Sequence, residues 1–307
     1  MLQKKLLPSK ELDILSRLQL RMNLAPQDQL NYDNLVKGLH GEQAFYTILK
    51  RDLLVDGLIL NDLLLKHLES EFQIDCLLIC RKTVYLFEIK NYEGDFFLQN
   101  HNWYVAQTKK EIRDPLMQLK RSEFLLRQLL NHLGYTYEIK PYIIFINKRF
   151  LLYQAPLNAR LIFRPQLHRF IRKINTTALP VVDEQKKLAQ QLMANTINKS
   201  AYERLPAYDY NKLKKGITCL SCSAFLSAHG IRTFKCKQCG LKERIPSAIL
   251  RNTVDFNMLF PNEKITTSGV HDWCGGLVSK KVIRGILSIY LKTVSGGRFT
   301  HYVFRQE

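Results

Sequence analysis

The 307-residue sequence predicts an α/β protein, a mixed sheet flanked by helices, with a smaller cysteine-bearing module behind it. Three observations carry that expectation. The stretch from Gln73 to Tyr92, QIDCLLICRKTVYLFEIKNY, holds two apolar runs, Ile74 to Cys80 and Val84 to Ile89, joined by the polar link Arg81-Lys82-Thr83. This is the pattern of a β-hairpin. Further on, DPLMQLKRSEFLLRQLLNHLG places Leu116, Leu119, Leu125, Leu126, Leu129 and Leu133 at the spacing of an amphipathic helix. Finally, Cys219 and Cys222, then Cys236 and Cys239, form two CxxC pairs with thirteen residues between them.

Taken in order, residues 1–37 mix helix formers with basic residues, and Pro8 and Pro26 break them, leaving one short helix from Ser9 to Met22. A second helix is expected to begin near Gly41, where Ala44, Phe45, Ile48 and Leu49 recur at helical spacing. Glu42 then falls in its first turn, where the helix dipole favours a carboxylate. The leucine-dense segment Leu58 to Leu68, interrupted by Asn61 and Asp62, reads as a strand or a short helix. After the hairpin, DFFLQNHNWYVAQ alternates aromatic and polar residues and suggests one or two strands before Thr108. Trp103 and Tyr104 are core residues there, or bases stack on them.

The helix that follows is framed by Asp114 as N-cap, Pro115 in the first turn and Gly134 as C-cap. Tyr142 to Ile146 is apolar without interruption, as in a central strand buried on both faces. A strand over Ala159 to Phe163 and a helix over Asp183 to Ile197 complete this part. Four regions result: a helical extension over 1–30, an α/β domain over 31–205, a four-cysteine module over 212–245 and a basic helical module over 246–307.

Composition narrows the function classes. An apolar content of 46% supports packed cores and argues against disorder. No run of about eighteen apolar residues could span a bilayer, and the N-terminus lacks an apolar signal region, so a soluble, cytoplasmic protein is expected, with no membrane partner. The net charge is +19, and it is densest at the C-terminal end: 16 basic against 5 acidic residues from Lys212 onward, 30 against 22 before it. Such an excess suits a polyanion, and nucleic acid is the expected partner.

The hairpin carries the chemistry. Asp75 sits within the first apolar run, and Glu88 and Lys90 end the second. A charge inside a strand must be paired, neutralised or bound to metal, since burying it alone costs several kcal/mol. Period-two alternation puts Glu88 and Lys90 on one face, within reach of Asp75. Two carboxylates beside an ammonium can hold a hard cation such as Mg²⁺.

This order, Asp and then Glu-x-Lys, is similar to the PD-(D/E)xK nuclease superfamily. The words GEQAF before it and KNYEGDF after it resemble one branch, the NERD (nuclease-related) domain. The resemblance covers mainly residues 35–150. It implies a restriction-endonuclease-like sheet flanked by helices and a strand over Leu58 to Leu68. It implies hydrolysis of phosphodiester bonds with Mg²⁺ or Mn²⁺, with DNA the expected substrate. The implied site is Glu42, Asp75, Glu88, Lys90 and Gln118. Glu42, Asp75, Glu88 and the carbonyl of Ile89 would bind the metal, and Gln118 would follow Asp114-Pro115 as in the family. Ile74 stands where the wider superfamily has proline, as in the NERD branch. The alternative is a catalytically silent nuclease fold, a DNA-binding or regulatory protein in which the same charges form a salt-bridged cluster.

Four thiolates at the spacing of Cys219, Cys222, Cys236 and Cys239 suit a tetrahedral, structural Zn²⁺ site, with redox use of the CxxC pairs as the competing reading. His229 between them is a bystander, and Cys76, Cys80 and Cys274 read as buried small hydrophobes. Beyond them, a short helix, a turn at Gly275-Gly276, a helix from Ser279 and a strand after Gly296-Gly297 resemble a winged helix-turn-helix, with Arg298 to Phe304 as the wing. Lys280, Lys281 and Arg284 would then face DNA. The other reading is a zinc-supported helical module whose charges are merely solvated.

Overall fold

The computed structural model describes residues 6–157, 160–177, 180–197, 204–230, 232–294, 297 and 300–305, and the backbone of 3–4. By packing they form two units, Met1–Ser9 with Asp33–Glu203, and Lys10–Tyr32 with Arg204–Glu307. The 1–30 segment is thus divided between them. Among the described residues no helix is long and apolar enough to cross a membrane.

The chain opens with β1 (Gln3–Lys4), α1 (Lys10–Gln19) and α2 (Pro26–Asp52). The helix expected to begin near Gly41 begins instead at Pro26 and runs straight through Gly38 and Gly41. Proline is tolerated at a helix start because its missing N–H has no partner there anyway. Glu42 therefore lies in mid-helix, and the helix dipole gives no account of its position.

The hairpin is β3 (Ser70–Ile79) and β4 (Thr83–Lys90), preceded by β2 (Leu58–His67), which is a strand as the resemblance implied. Next come β5 (Gly94–Gln99), β6 (Asn102–Val105) and β7 (Glu111–Ile112), then α3 (Pro115–His132). Trp103 is buried in the core. The Asp114 carboxylate accepts from the Leu116 amide at 2.8 Å, and Gly134 takes the left-handed φ of +81° that ends such a helix.

The remaining elements of the first unit are β8 (Glu138–Phe145), β9 (Phe150–Tyr153), β10 (Leu161–Phe163), α4 (Leu167–Thr177) and α5 (Asp183–Ala194). Ala159, where the sequence began the strand now seen as β10, lies outside the described residues. The main sheet has the order β1-β2-β3-β4-β8-β10, with β4–β8 and β8–β10 parallel and the β2-β3-β4 meander antiparallel. A second sheet, β7-β6-β5-β9, follows the meander.

Alternation on β4 sorts the core. Val84 and Leu86 face α3 and α5, whereas Tyr85, Phe87 and Ile89 face α2 and α4. Glu88 and Lys90 continue the α3-facing row, so they emerge at the strand end beside that helix.

The second unit contains α1, then β11 (Leu226–His229), β12 (Thr233–Cys236) and β13 (Lys242–Arg244), an antiparallel sheet. It continues with α6 (Ile245–Leu259), α7 (Thr267–Trp273), α8 (Lys280–Tyr290), β14 (Lys292–Val294) and β15 (His301–Val303). Ile265 pairs with Tyr302, so the order is helix, bridging residue, two helices and an antiparallel hairpin. That is winged-helix topology. Gly275 and Gly276 make the turn with φ of +70° and +66°, and Ser279 caps α8. Arg298 and Gly296 lie outside the described residues.

One apolar cluster joins Ile14 and Leu18 of α1, Cys219, Phe234 and Cys236 of the cysteine module, and Phe256, Trp273 and Ile283 of the helices. Residues 212–245 and 246–307 therefore share a core. Arg21 fastens it: its guanidinium donates to the carbonyls of Lys214 and Gly216 and to Asn252 Oδ1, and lies 3.9 Å from the centre of the Trp273 ring.

Candidate active site and metal centre

The β3–β4 ladder runs from Ile79↔Val84 to Cys76↔Phe87 and then stops. Asp75 is the next residue of β3, and its side chain takes over where the ladder ends: Asp75 Oδ2 accepts from the Ile89 amide at 2.7 Å. The strands part at this point, and the gap opens where Glu88 and Lys90 project. Lys90 Nζ donates to Glu88 Oε1 at 2.6 Å and to Gln118 Oε1 at 3.0 Å, the latter one turn into α3. Glu88 is 2% exposed, so this ion pair is sunk in the protein.

Burial, then the neighbouring carboxylates of Glu88 and Glu42, drives the Asp75 carboxyl well above its usual range. Burial pulls the Lys90 ammonium down, but Glu88 and Asp75 overcome that and leave it raised. Lys90 therefore stays charged, which suits an electrostatic donor and not a general base. Crowded, partly desolvated carboxylates are relieved by a divalent cation, so the donor set fits one. Among the described residues the four cysteines form a cluster of three or more metal-ligating side chains, and Glu42, Asp75 and Glu88 do not. Two of them at a time, completed by waters or phosphate oxygens, match the way Mg²⁺ is usually held.

In the second unit the four thiols lie within 4.8 Å of one another, with Cys219 Sγ 3.6 Å from Cys239 Sγ and Cys222 Sγ 3.4 Å from Cys236 Sγ. Tetrahedral Zn–S bonds of about 2.3 Å put sulfurs roughly 3.8 Å apart. The cluster can hold a metal. The Cys239 backbone amide helps to draw the Cys236 thiol down to about 6, toward the thiolate a metal needs. Lys280, Lys281 and Arg284 are all exposed on α8.

Residues 37–146 match the NERD family, the nuclease-related domain. Neither the curated proteins nor the solved structures provide a match to the chain. The nuclease-related domain holds Glu42, Asp75, Glu88, Lys90 and Gln118, the whole of the acidic candidate site. The cysteine cluster and α8 lie outside it.

Two residues of the nuclease-related domain escaped the sequence reading. Asn61 pairs with Cys76 and Leu63 with Ile74, so Asp62 falls across from Asp75, at a left-handed φ of +48° that interrupts the ladder. Its Oδ1 accepts from Gln73 Nε2 at 2.9 Å. A polar residue in the middle of a leucine run was the available signal.

The other is Gly41. A Cβ there would stand 2.7 Å from Asn91 Cβ, and the Asn91 amide donates to the Lys37 carbonyl at 2.8 Å. Only glycine lets α2 pass this close to the end of β4 and bring Glu42 to the site. Gly41→Ala is expected to cost about 1–2 kcal/mol in urea denaturation, overpacking outweighing the gain in helix propensity. Gly38→Ala, with nothing within 4 Å, should instead stabilise by about 0.5–1 kcal/mol. Equal effects at the two positions would refute the close approach.

Glu42 is pushed up to about 7, first by burial and then by Asp62 and Glu88, with Lys90 opposing. The folded state thus holds this proton more tightly than the unfolded chain does. Without added divalent cation, the contribution to stability is full below the ordinary carboxylate pKa of about 4.3 and falls as the pH rises toward 7. Glu42→Gln should flatten that decline in urea midpoints measured from pH 5 to 8; an unchanged slope would remove Glu42 as its source.

Proposed function

We propose that this protein is a divalent-cation-dependent nuclease that hydrolyses phosphodiester bonds of nucleic acid, with DNA as its substrate. The observation that carries the reading is the Lys90 ammonium between Glu88 and Gln118 at the point where β3 and β4 part beside Asp75, within the nuclease-related domain. Asp75, Glu88 and the Ile89 carbonyl, with Glu42 directly or through water, would hold Mg²⁺ or Mn²⁺, which when bound lowers the pKa of water and offsets phosphate charge.

The chain's own groups do the positioning. Asp75 is held by the Ile89 amide, so its free oxygen keeps a fixed direction. Lys90 remains an ammonium and donates toward the attacking water or the phosphate oxygen that gains charge. Gln118 restrains Lys90 and is a second polar group for water or phosphate. Water adds to phosphorus and gives up a proton to solvent, the P–O bond to the leaving oxygen breaks, and that oxygen takes up a proton from solvent to leave as an alcohol.

In the second unit, the four cysteines hold Zn²⁺ as a structural ion, and Lys280, Lys281 and Arg284 contact DNA. A second reading has one observation in its favour: Glu88 and Lys90 satisfy each other as an ion pair, which a silent nuclease fold that only binds DNA would also need. Labelled single-stranded, double-stranded and nicked DNA and RNA, incubated with Mg²⁺ or Mn²⁺, separate the two. Cleavage of DNA that stops when the cation is withheld is the expected result; intact substrates under every condition support the binding protein.

A further inference from the structure

We propose that the groove between α8 and the β14–β15 hairpin is a binding site for the phosphate backbone of nucleic acid, with Lys264 and Arg284 as its cations. This rests on the nucleic-acid reading above and adds to it a site that charge patterning along α8 does not reveal. The groove has a volume of about 720 Å³. Lys264 enters it from the segment before α7 and Arg284 from α8, and the hydroxyls of Thr267, Ser268, Ser288 and Thr300 line it between them.

The lining is selective by charge. No Asp or Glu is among the lining residues, and neither Lys264 nor Arg284 makes an ion pair or side-chain hydrogen bond among the described residues. Two cations without counter-charges, set among neutral hydroxyls, match the oxygens of a phosphodiester and repel nothing that is anionic. A metal cation or a basic-faced partner finds no anionic ligand here.

The positive charge does not end at the groove. Arg284 lies within four residues of Lys280 and Lys281 on the exposed side of α8, so the cations continue along the helix. A strand whose successive phosphates run from the groove onto α8 uses all four. A single small phosphate would use only the two in the groove. The surplus of basic residues in this third of the chain agrees with the longer ligand.

Backbone contacts carry affinity but no sequence information. The test uses the full-length, zinc-loaded protein without added divalent cation, and fluorescence anisotropy of two labelled duplexes of unrelated sequence. Lys264→Glu and Arg284→Ala should each weaken binding to both duplexes alike, by roughly 3- to 30-fold, and lower the salt slope by about 1 per cation removed. Lys50→Glu on α2, which changes the net charge as much as Lys264→Glu does, should bind as wild type. Thermal melts confirm that the exposed Lys264 and Arg284 variants remain folded.

Wild-type affinity of Lys264→Glu for both duplexes overturns the proposal. So does a loss confined to one sequence, or wild-type protein that binds no duplex. Inorganic phosphate that displaces neither duplex at a few millimolar supports a strand; phosphate that stabilises wild type but not Lys264→Glu, with duplex binding unchanged, assigns the groove to a small anion and also overturns it. Because cleavage plays no part in the readout, failure of the nuclease reading leaves this result standing, and failure here leaves the nuclease reading standing.

Discussion

Lys90→Ala should lower cation-dependent cleavage by about 10²- to 10³-fold, the effect of removing one positioned donor from a developing oxyanion. The KM for DNA should change little, because the bulk of the basic surface lies outside the nuclease-related domain. The side effect on folding has to be separated from this. Removing Lys90 strands the Glu88 carboxylate at 2% exposure, and breaking a buried pair costs about 3–5 kcal/mol unless the carboxylate takes up a proton. Lys90→Ala with Glu88→Gln removes both charges and should recover stability without recovering cleavage. Asp75→Ala should be equally inactive, since it also frees the Ile89 amide and lets β3 and β4 shift. Identical cleavage traces from wild type and from both single variants, at matched purity, would end the enzyme reading.

The second large effect concerns the cysteines. Freshly purified, reduced protein is expected to retain one zinc per chain by elemental analysis. Cys236→Ser should lose the metal and unfold the second unit at temperatures where the first remains intact. The size of the effect follows from where the sulfurs sit. Cys219 and Cys236 are buried in the same apolar cluster as Phe234, Trp273 and Ile283, so metal binding and core formation are one event. Structural zinc binding in small modules is worth about 10–16 kcal/mol near neutral pH, more than the stability of most domains of this size. Loss of the second unit should also abolish duplex binding, whereas any residual cleavage of short substrates should survive. Protein without zinc, or a second unit that melts unchanged in the presence of a strong chelator, would sink the prediction.

Much of the candidate site was legible because its signals are local. Asp75 and Glu88 stand out against apolar strands, the Asp114-Pro115 start of α3 is a capping pattern within three residues, and the CxxC pairs announce themselves by spacing. The β2 strand needed the family resemblance, since a leucine run of that length is also a helix by periodicity. The start of α2 was misplaced because glycines normally interrupt helices. Here Gly41 is kept for a contact with Asn91, fifty residues away in the chain. No pattern within α2 shows that contact. The helix α6 was missed as well, although Pro246 marks its first turn and it buries Ile249, Phe256 and Leu259.

The charges set into the hairpin, the cysteine spacing, the basic C-terminal third and the helix-turn-helix order were determined by the sequence alone, each by residues a few positions apart. Tertiary structure decided what those residues meet. It set Asp75 on the Ile89 amide, Asp62 across from Asp75, Glu42 in mid-helix with a raised pKa, and α1 in the core of the second unit. It also joined Lys264 and Arg284 across one groove. All of these depend on long-range packing, which closes loops of tens to hundreds of residues and has no counterpart in local periodicity.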